Sequence, residues 1–256
     1  QRLQTLSVGD LNADQDVTDV IATANGNAPE ARANNIRFGN DFAAGNGMVI
    51  QTVSTQSYFS NTLGNNGITL DADTNFNTSG TGDIRFDASV ASDNTGGLVD
   101  RRNLFVTTNN GNVLFRQDVG GTGSGPGGGI PNERVAQFII TIGGPTTNNL
   151  ILGDGNPATA RFIRTSDGGG TFALVTGNTL LTDNYTIDAT VGNANVSFAS
   201  NAGGNASGQI QADRADNNRT LQIFTTGNVS FAGGIGTRGA ADDVSNGSLL
   251  SLLIAG

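Results

Sequence analysis

The chain lacks cysteine, histidine, lysine and tryptophan, and its 256 residues include one methionine and five prolines. Without cysteine it forms no disulfide and no thiolate, an absence that is compatible with an extracellular protein. Without histidine and cysteine, the usual nucleophile and base pairs and transition-metal sites lose their side chains. These absences favour a non-enzymatic protein.

Charge is also scarce. Charged residues make up 14% of the chain, the net charge is −9, and arginine supplies every basic side chain. A nucleic-acid surface needs clustered cations. The one adjacent pair, Arg101 and Arg102, is expected in a solvated turn, so the sequence predicts no nucleic-acid partner.

Long apolar runs are missing as well. No stretch approaches the roughly 20 apolar residues that span a bilayer, so we expect no membrane-spanning segment. The sequence opens on Gln1 without an initiator methionine. This start is typical of a secreted and processed product, expected outside the cell or at its surface.

Glycine and asparagine are abundant, and they recur within a short unit of the form Gly-[Asn/Asp]-[Val/Ile]-x-Phe. Its five copies, two of them looser, are GDIRF (82–86), GNVLF (111–115), GNVSF (227–231), NNIRF (34–38) and ANVSF (194–198). Longer blocks also match, so that residues 48–120 resemble residues 171–236. We therefore predict one repeat domain over residues 1–256 with an internal duplication.

A glycine-rich stretch, GGTGSGPGGGIP at 120–131, lies between the two halves. Its glycines and two prolines disfavour a regular element. Because the repeat pattern resumes beyond it, we predict a long loop projecting from one continuous architecture.

Apolar residues alternate around the turn-forming residues of the repeat. Leu104 and Val106 precede one such turn, and Val113 and Phe115 follow it. The segment TLQIFTTGNVSFAGGI (220–235) repeats the pattern. A period of two indicates strands with one buried face, so the sequence predicts an all-β protein.

Two all-β architectures fit this pattern. In a β-sandwich each strand-turn-strand unit is a hairpin, whereas in a β-solenoid, or parallel β-helix, each unit stacks on the coils above and below. Recurrent Gly-Asn favours the solenoid, because these residues adopt left-handed corner conformations easily and stacked asparagines can hydrogen-bond along a ladder. The β-sandwich remains the alternative.

These residues carry a family resemblance. The segment from Gly227 to Phe231, with Gly233, Gly234, Leu249, Leu252 and Ile254, resembles the degenerate repeat of filamentous-haemagglutinin-like adhesins and related giant bacterial surface exoproteins. The resemblance covers residues 30–120 and 171–256. It implies a right-handed parallel β-helix, export across the cell envelope, and work as a surface adhesin or fibre.

Candidate catalytic carboxylates are scattered along the chain. A glycosidase needs two facing carboxyl groups, and a β-helical polysaccharide lyase would need arginine or lysine beside acidic groups that bind calcium. Asp154, Asp167 and Asp188 are instead interpreted as turn-forming or solvated strand residues. The sequence predicts no catalytic residue and no organic cofactor.

One acidic segment near the start is a candidate calcium site. Asp10, Asn12, Asp14 and Asp16 alternate as oxygen ligands do in the first half of an EF-hand or dockerin loop. Gln15 replaces the turn glycine, and Ile21 stands where the twelfth-position acid belongs. Calcium binding thus competes with the interpretation of an exposed acidic edge.

The last residues, SLLSLLIAG, form the most apolar segment and are interpreted as the start of a further coil without a charged cap. Such an end indicates either that a neighbouring copy adds there or that the sequence is a fragment of a longer chain. We therefore predict an extracellular structural protein that polymerises with copies of itself into a fibre, sheath or adhesive layer. The predicted self-assembly residues are Leu249, Leu250, Leu252, Leu253 and Ile254. The alternatives are an adhesin module that binds surface glycans and a β-helical polysaccharide lyase or hydrolase.

Overall fold

A computed structural model describes residues 6–8, 36–38, 47–59, 67–93, 101–121, 133–155, 159–166, 170–200, 208–212, 219–236 and 249–256. Within these ranges the regular structure consists of strands, which confirms the all-β prediction. The strands are β1 (Leu6–Val8), β2 (Ile36–Phe38), β3 (Met48–Thr52), β4 (Gln56–Tyr58), β5 (Ile68–Leu70), β6 (Thr74–Thr81), β7 (Ile84–Phe86), β8 (Val90–Ser92), β9 (Leu104–Asn110), β10 (Val113–Phe115), β11 (Phe138–Ile142), β12 (Leu150–Leu152), β13 (Ala160–Arg164), β14 (Thr171–Val175), β15 (Thr179–Leu181), β16 (Asn184–Ala189), β17 (Val196–Ser200), β18 (Ile210–Ala212), β19 (Thr220–Thr225), β20 (Val229–Phe231) and β21 (Ser251–Ala255).

The strands form three parallel sheets. Sheet A has the order β3-β6-β9-β11-β14-β17-β20, and sheet B has the order β1-β4-β7-β10-β12-β15-β18. Sheet C consists of β2-β5-β8 and β13-β16-β19-β21, joined through single bridges that Val119 makes to Val90 and Ile163. Every described pairing is parallel, so no two described neighbours form a hairpin.

The chain visits the sheets in the same order, A then B then C, and we call each such passage a tier. The first full tier is β3, β4 and β5, and the last is β20, the bridge residue Ile235 and β21. Tiers pair in register, as in the sheet B stack of Tyr58, Phe86, Phe115 and Leu152. Side chains of one register position therefore lie directly above one another.

Alternation buries one side of each strand. Leu104, Val106 and Val113 are fully buried and Phe115 is 1% exposed, as the period of two predicts. The inward side chains of all three sheets belong to one continuous apolar cluster. The core therefore runs through the tiers as a column.

Aromatic rings fill the core of the early tiers. Phe86 stacks between Tyr58 and Phe115, with ring centroids 5.3 and 4.6 Å away, and Phe76 meets its edge at 5.0 Å. Burial raises the pKa of the Tyr58 hydroxyl, which donates a hydrogen bond to Gln56 Oε1 at 2.9 Å. The buried hydroxyl is thus satisfied inside the stack.

A ladder of side chains runs along the corner that precedes sheet B. Oδ1 of Asp83 accepts the backbone N–H of Asn112 at 2.7 Å, and Oδ1 of Asn112 accepts that of Asn149 at 2.8 Å. Asn149 repeats the contact with Asn178 at 2.8 Å, and Asn178 with Gln209 at 3.3 Å. Each of these hydrogen bonds joins two neighbouring tiers. It provides an acceptor for the backbone N–H of the residue that precedes a sheet B strand.

Replacing Asn149 by Ala should remove one rung and lower the free energy of unfolding by about 1 kcal/mol, since the N–H of Asn178 loses its acceptor in a half-buried site. Asn149→Asp keeps the acceptor, as Asp83 does naturally, but loses the hydrogen bond that Nδ2 of Asn149 donates to the carbonyl oxygen of Thr147 at 2.9 Å, so it should lose less stability than the alanine variant without matching the parent. Urea denaturation compares the two variants. Equal losses would show that Oδ1 of Asn149 contributes nothing specific.

The predicted reason for glycine in the repeat unit was wrong. Gly82, Gly111 and Gly227 do not have positive φ. Glycine is needed there because successive corners approach closely: a Cβ on Gly111 would lie 2.1 Å from the carbonyl oxygen of Gly82, and one on Gly227 would lie 2.7 Å from that of Ala194. The unit therefore encodes close stacking of corners.

Copies of the repeat unit occupy different sheets. The strands of GDIRF and GNVLF are β7 and β10 in sheet B, whereas those of ANVSF and GNVSF are β17 and β20 in sheet A, and that of NNIRF is β2 in sheet C. The unit therefore marks a corner followed by a strand, whichever sheet the strand joins. The duplication itself stays a prediction, and of the predicted loop only Gly120 and Gly121 lie within the described residues.

Candidate functional site

The last strand of sheet C places apolar core positions at an open edge. Leu252 and Ile254 of β21 pair in register with Leu221 and Ile223 of β19. Leu221 and Ile223 are 1% and 0% exposed, whereas Leu252 and Ile254 are 40% and 47% exposed. The same inward positions are less covered in β21 because, among the described strands, it is the terminal one of its sheet.

The other predicted assembly residues surround this edge. Leu249 packs against the core cluster, while Leu250 and Leu253 are 66% and 45% exposed. Inward residues of β20, Val229 and Phe231, are also only partly buried. The structure thus brings all five predicted residues together at the C-terminal tier, and their role in assembly stays a prediction.

The opposite edge of sheet A is apolar too. β3 is the terminal strand there, and its outward residue Val49 is 65% exposed. Met48 and Ile50 are half-buried, and Ile50 packs against the core cluster. Exposed aliphatic side chains therefore occur at the C-terminal tier and at the β3 edge of sheet A, whereas β1 and β2 pair with β4 and β5 in the other two sheets.

Two of the three scattered carboxylates, Asp154 and Asp188, form ion pairs with arginines of the same chain. Asp188 is fully buried and 2.6 Å from Nη2 of Arg134, whose side chain is 3% exposed. Nη1 of Arg134 donates to the carbonyl oxygens of Thr165 and Asp188 at 3.2 and 3.1 Å. The prediction of Asp188 as a solvated or turn residue was wrong, because Asp188 faces away from the apolar core, as Arg164 beside it does, and is buried there against the guanidinium of Arg134.

A second acidic group surrounds Asp183. Its carboxylate accepts the N–H groups of Asp154 and Gly155, each at 3.1 Å, and Nε–H of Arg161 at 3.2 Å. Burial raises the pKa of Asp183, and these hydrogen bonds oppose the rise. Arg161 also contacts Asp154 at 2.7 Å and Gln117 at 2.5 Å. Internal donors thus hold the carboxylate of Asp183, which suits a structural network.

Arginine is buried nearby as well. Arg164 is fully buried, lies 3.9 Å from the centroid of Phe162 and donates to the carbonyl oxygen of Gly121 at 2.7 Å. Burial lowers the pKa of Arg164 and raises that of Asp118. Arg102 is 7% exposed, so the predicted solvated turn at Arg101 and Arg102 was wrong for that residue.

The predicted calcium ligands Asp10, Asn12, Asp14 and Asp16 lie outside the described residues, as does Asp167. Among the residues that the structure covers, no three acidic side chains converge as a metal site would require. Calcium binding by the acidic segment stays a prediction.

No protein-family model, curated protein or solved structure matches the chain. Within the described ranges, no helix has the length and apolar character needed to cross a bilayer. The open terminal strands are therefore the main basis for assigning a function.

Proposed function

We propose that the chain is a parallel β-solenoid that works outside the cell as a structural protein. Its copies join end to end into a fibre, sheath or adhesive surface layer. One observation carries the proposal: the inward residues Leu252 and Ile254 continue the core column into β21, yet remain about half exposed there. A further tier would bury them as Leu221 and Ile223 are buried.

Strand topology supports the solenoid over the sandwich. A hairpin pairs consecutive strands antiparallel, whereas consecutive strands here belong to different sheets and pair in parallel with the tiers before and after. The asparagine ladder also joins neighbouring tiers. Each tier is therefore stabilised mainly by its neighbours, which is the energetic pattern of a solenoid.

End-to-end growth follows from the direction of the strands. All strands of a sheet run the same way, so the β20 edge and the β3 edge of sheet A are the two opposite faces of one stack. Docking the C-terminal tier of one copy on the opposite end of the next, where β3, β1 and β2 are the terminal described strands of sheets A, B and C, is a heterologous contact. Such a contact repeats without closing when its rotation does not close a ring. Unpaired strand edges supply hydrogen bonds and exposed aliphatic residues supply burial.

The proposed cellular location and the proposed non-enzymatic role are supported by other features. The resemblance to filamentous-haemagglutinin-like adhesins favours a secreted or cell-surface protein. The lack of cysteine is compatible with that location. Asp183 and Asp188 contact internal donors, which favours a structural role over the polysaccharide lyase or hydrolase.

Assembly tests the proposal. Leu250→Asp/Leu253→Asp places two charges at the C-terminal tier and should raise the protein concentration needed for polymerisation at least about tenfold, a change of about 1.4 kcal/mol per contact. The matched control, Leu114→Asp/Leu180→Asp, puts the same change on half-buried outward positions of sheet B. Light scattering and electron microscopy should show polymers for the parent chain and the control, but particles of single copies for the first variant.

A mixing experiment separates end-to-end growth from other association. Val49→Asp should block the opposite end. Chains carrying this change and chains carrying Leu250→Asp/Leu253→Asp should each stay single, yet form dimers when mixed, because each supplies one intact end. A parent chain that stays single at high concentration would falsify the proposal, and a mixture without dimers would rule out the head-to-tail contact.

A further inference from the structure

The outer side of sheet B carries a row of aliphatic residues. Leu114, Ile151 and Leu180 are the middle residues of β10, β12 and β15, and they pair in register on three successive tiers. Each is half-buried, whereas the residues on either side of it in the strand are buried. At about 4.8 Å per tier this aliphatic row is roughly 10 Å long. It lies in the middle of the stack, away from the terminal strands that carry the proposed end-to-end contact.

Polar residues border the aliphatic row at both ends. In the same register, Arg85 lies one tier before Leu114, and Gln211 lies one tier after Leu180. The side chain of Arg85 is 33% exposed, so solvent and partners can reach its guanidinium. Nε2 of Gln211 donates to Oε1 of Gln209, which leaves the amide oxygen of Gln211 to accept a hydrogen bond. The face therefore has an apolar centre between a cationic donor at one end and an acceptor at the other.

This face is complementary to itself about a two-fold axis through Ile151. In a second copy turned by that axis, Ile151 faces its own counterpart and Leu114 faces Leu180. Arg85 then faces Gln211, so that each guanidinium meets an amide oxygen. Two copies that face each other in the same direction would instead bring Arg85 against Arg85, and like charges repel. Charge complementarity therefore selects a second copy of this chain, in the opposite direction, as the partner.

The area of the face decides how strong this contact is. The six register positions from Ser57 to Gln211 lie on successive tiers. At about 4.8 Å per tier and about 10 Å for a three-residue strand they cover roughly 300 Å² per copy, against about 800 Å² per partner in a stable complex. Two single copies are therefore held only weakly. In a fibre the contact repeats at every copy, so two fibres gain it many times over.

We propose that two fibres of this protein pair side by side through the outer faces of sheet B. This inference rests on the proposed end-to-end assembly, because a fibre presents the face many times and a single copy presents it once. The tier spacing is the same in both fibres, so their aliphatic rows can interdigitate with the sheets about 10 Å apart. Both partners use the same face, so the contact closes on itself and the product is a ribbon of two antiparallel fibres.

Electron microscopy and light scattering on the assembled full chain test the pairing. The parent chain should form ribbons two fibres wide. Ile151→Asp places two carboxylates opposite each other at the two-fold axis, so its fibres should stay single until the protein concentration is at least about tenfold higher. Leu114→Asp/Leu180→Asp should likewise give single fibres. Ile139→Asp is the matched control, because it makes the same change at a half-buried outward position of β11, the sheet A strand of the same tier, and should keep the ribbons.

Charge reversal tests the two-fold arrangement. Ile151→Arg should also form single fibres, but a mixture of Ile151→Asp fibres and Ile151→Arg fibres should form ribbons, since each carboxylate then faces a guanidinium. Fibre formation by both variants shows that they fold. The inference is overturned if parent fibres stay single, if Ile151→Asp pairs like the Ile139→Asp control, or if the mixture does not pair. Those results leave the proposed function intact, whereas a parent chain that forms no fibre overturns both.

Discussion

Replacing Asp188 by Ala is expected to lower the free energy of unfolding by about 3–5 kcal/mol. The change leaves Arg134 as a buried guanidinium whose contact at 2.6 Å is lost. Asp188 also accepts hydrogen bonds from the backbone N–H and the hydroxyl of Thr190, at 3.3 and 2.7 Å, and these are lost with it. The loss of stability comes mainly from leaving one buried charge without its partner, since the intact pair itself contributes much less to the free energy of unfolding.

Urea denaturation followed by circular dichroism measures this loss. Arg116→Ala is the control, because the side chain of Arg116 is 41% exposed. When Arg116 is replaced, its partner Asp87 retains an ion pair with Arg85 at 2.5 Å. An exposed pair contributes about 0–1 kcal/mol. Arg134→Met/Asp188→Leu removes both charges and should recover most of the lost stability. A single Asp188→Ala variant that unfolds like the control would contradict the buried pair.

Replacing Phe86 by Ala is expected to lower the free energy of unfolding by about 3–5 kcal/mol as well. Phe86 is fully buried and contacts the rings of Tyr58, Phe76 and Phe115. Its removal leaves a cavity in the middle of the ring stack, and register pairing on both sides limits how far neighbouring strands can close it.

Two variants calibrate this result in the same denaturation experiment. Phe86→Leu retains most of the volume and should lose less than the alanine change. Phe231→Ala removes a partly buried ring whose described aromatic partner, Phe198, is 6.0 Å away, and it should also lose less. Equal losses from Phe86→Ala and Phe231→Ala would show that a ring in the central stack contributes no more to the free energy of unfolding than a partly buried ring does.

The sequence could predict the strands because alternation is a local signal. Leu104 and Val106 are two residues apart, and a period of two buries both on one face whatever the sheet. The asparagine ladder was also foreseeable from the recurring Asn before the strand, and Asn112 makes such a contact with Asn149. The apolar run over residues 249–254 was likewise visible in the sequence.

Other features depend on which tier lies beside which. Asp188 and Arg134 are 54 residues apart in sequence, and they meet because Val135 bridges to Thr165 while Arg164 pairs with Asp188 in sheet C. The corner glycines looked like left-handed turn residues because their true constraint, a carbonyl oxygen of the previous tier, is invisible in one strand.

The asparagine ladder bears on how the chain can acquire its structure. Each of its hydrogen bonds joins residues that are 29 to 37 positions apart in sequence, a short separation in a chain of 256 residues. Closing a loop of this size carries a similar entropic cost at every tier, and that cost grows only slowly with length. A chain emerging from a ribosome can therefore complete one tier as soon as the next thirty or so residues appear. Folding can proceed tier by tier along the chain, without waiting for the two ends to meet.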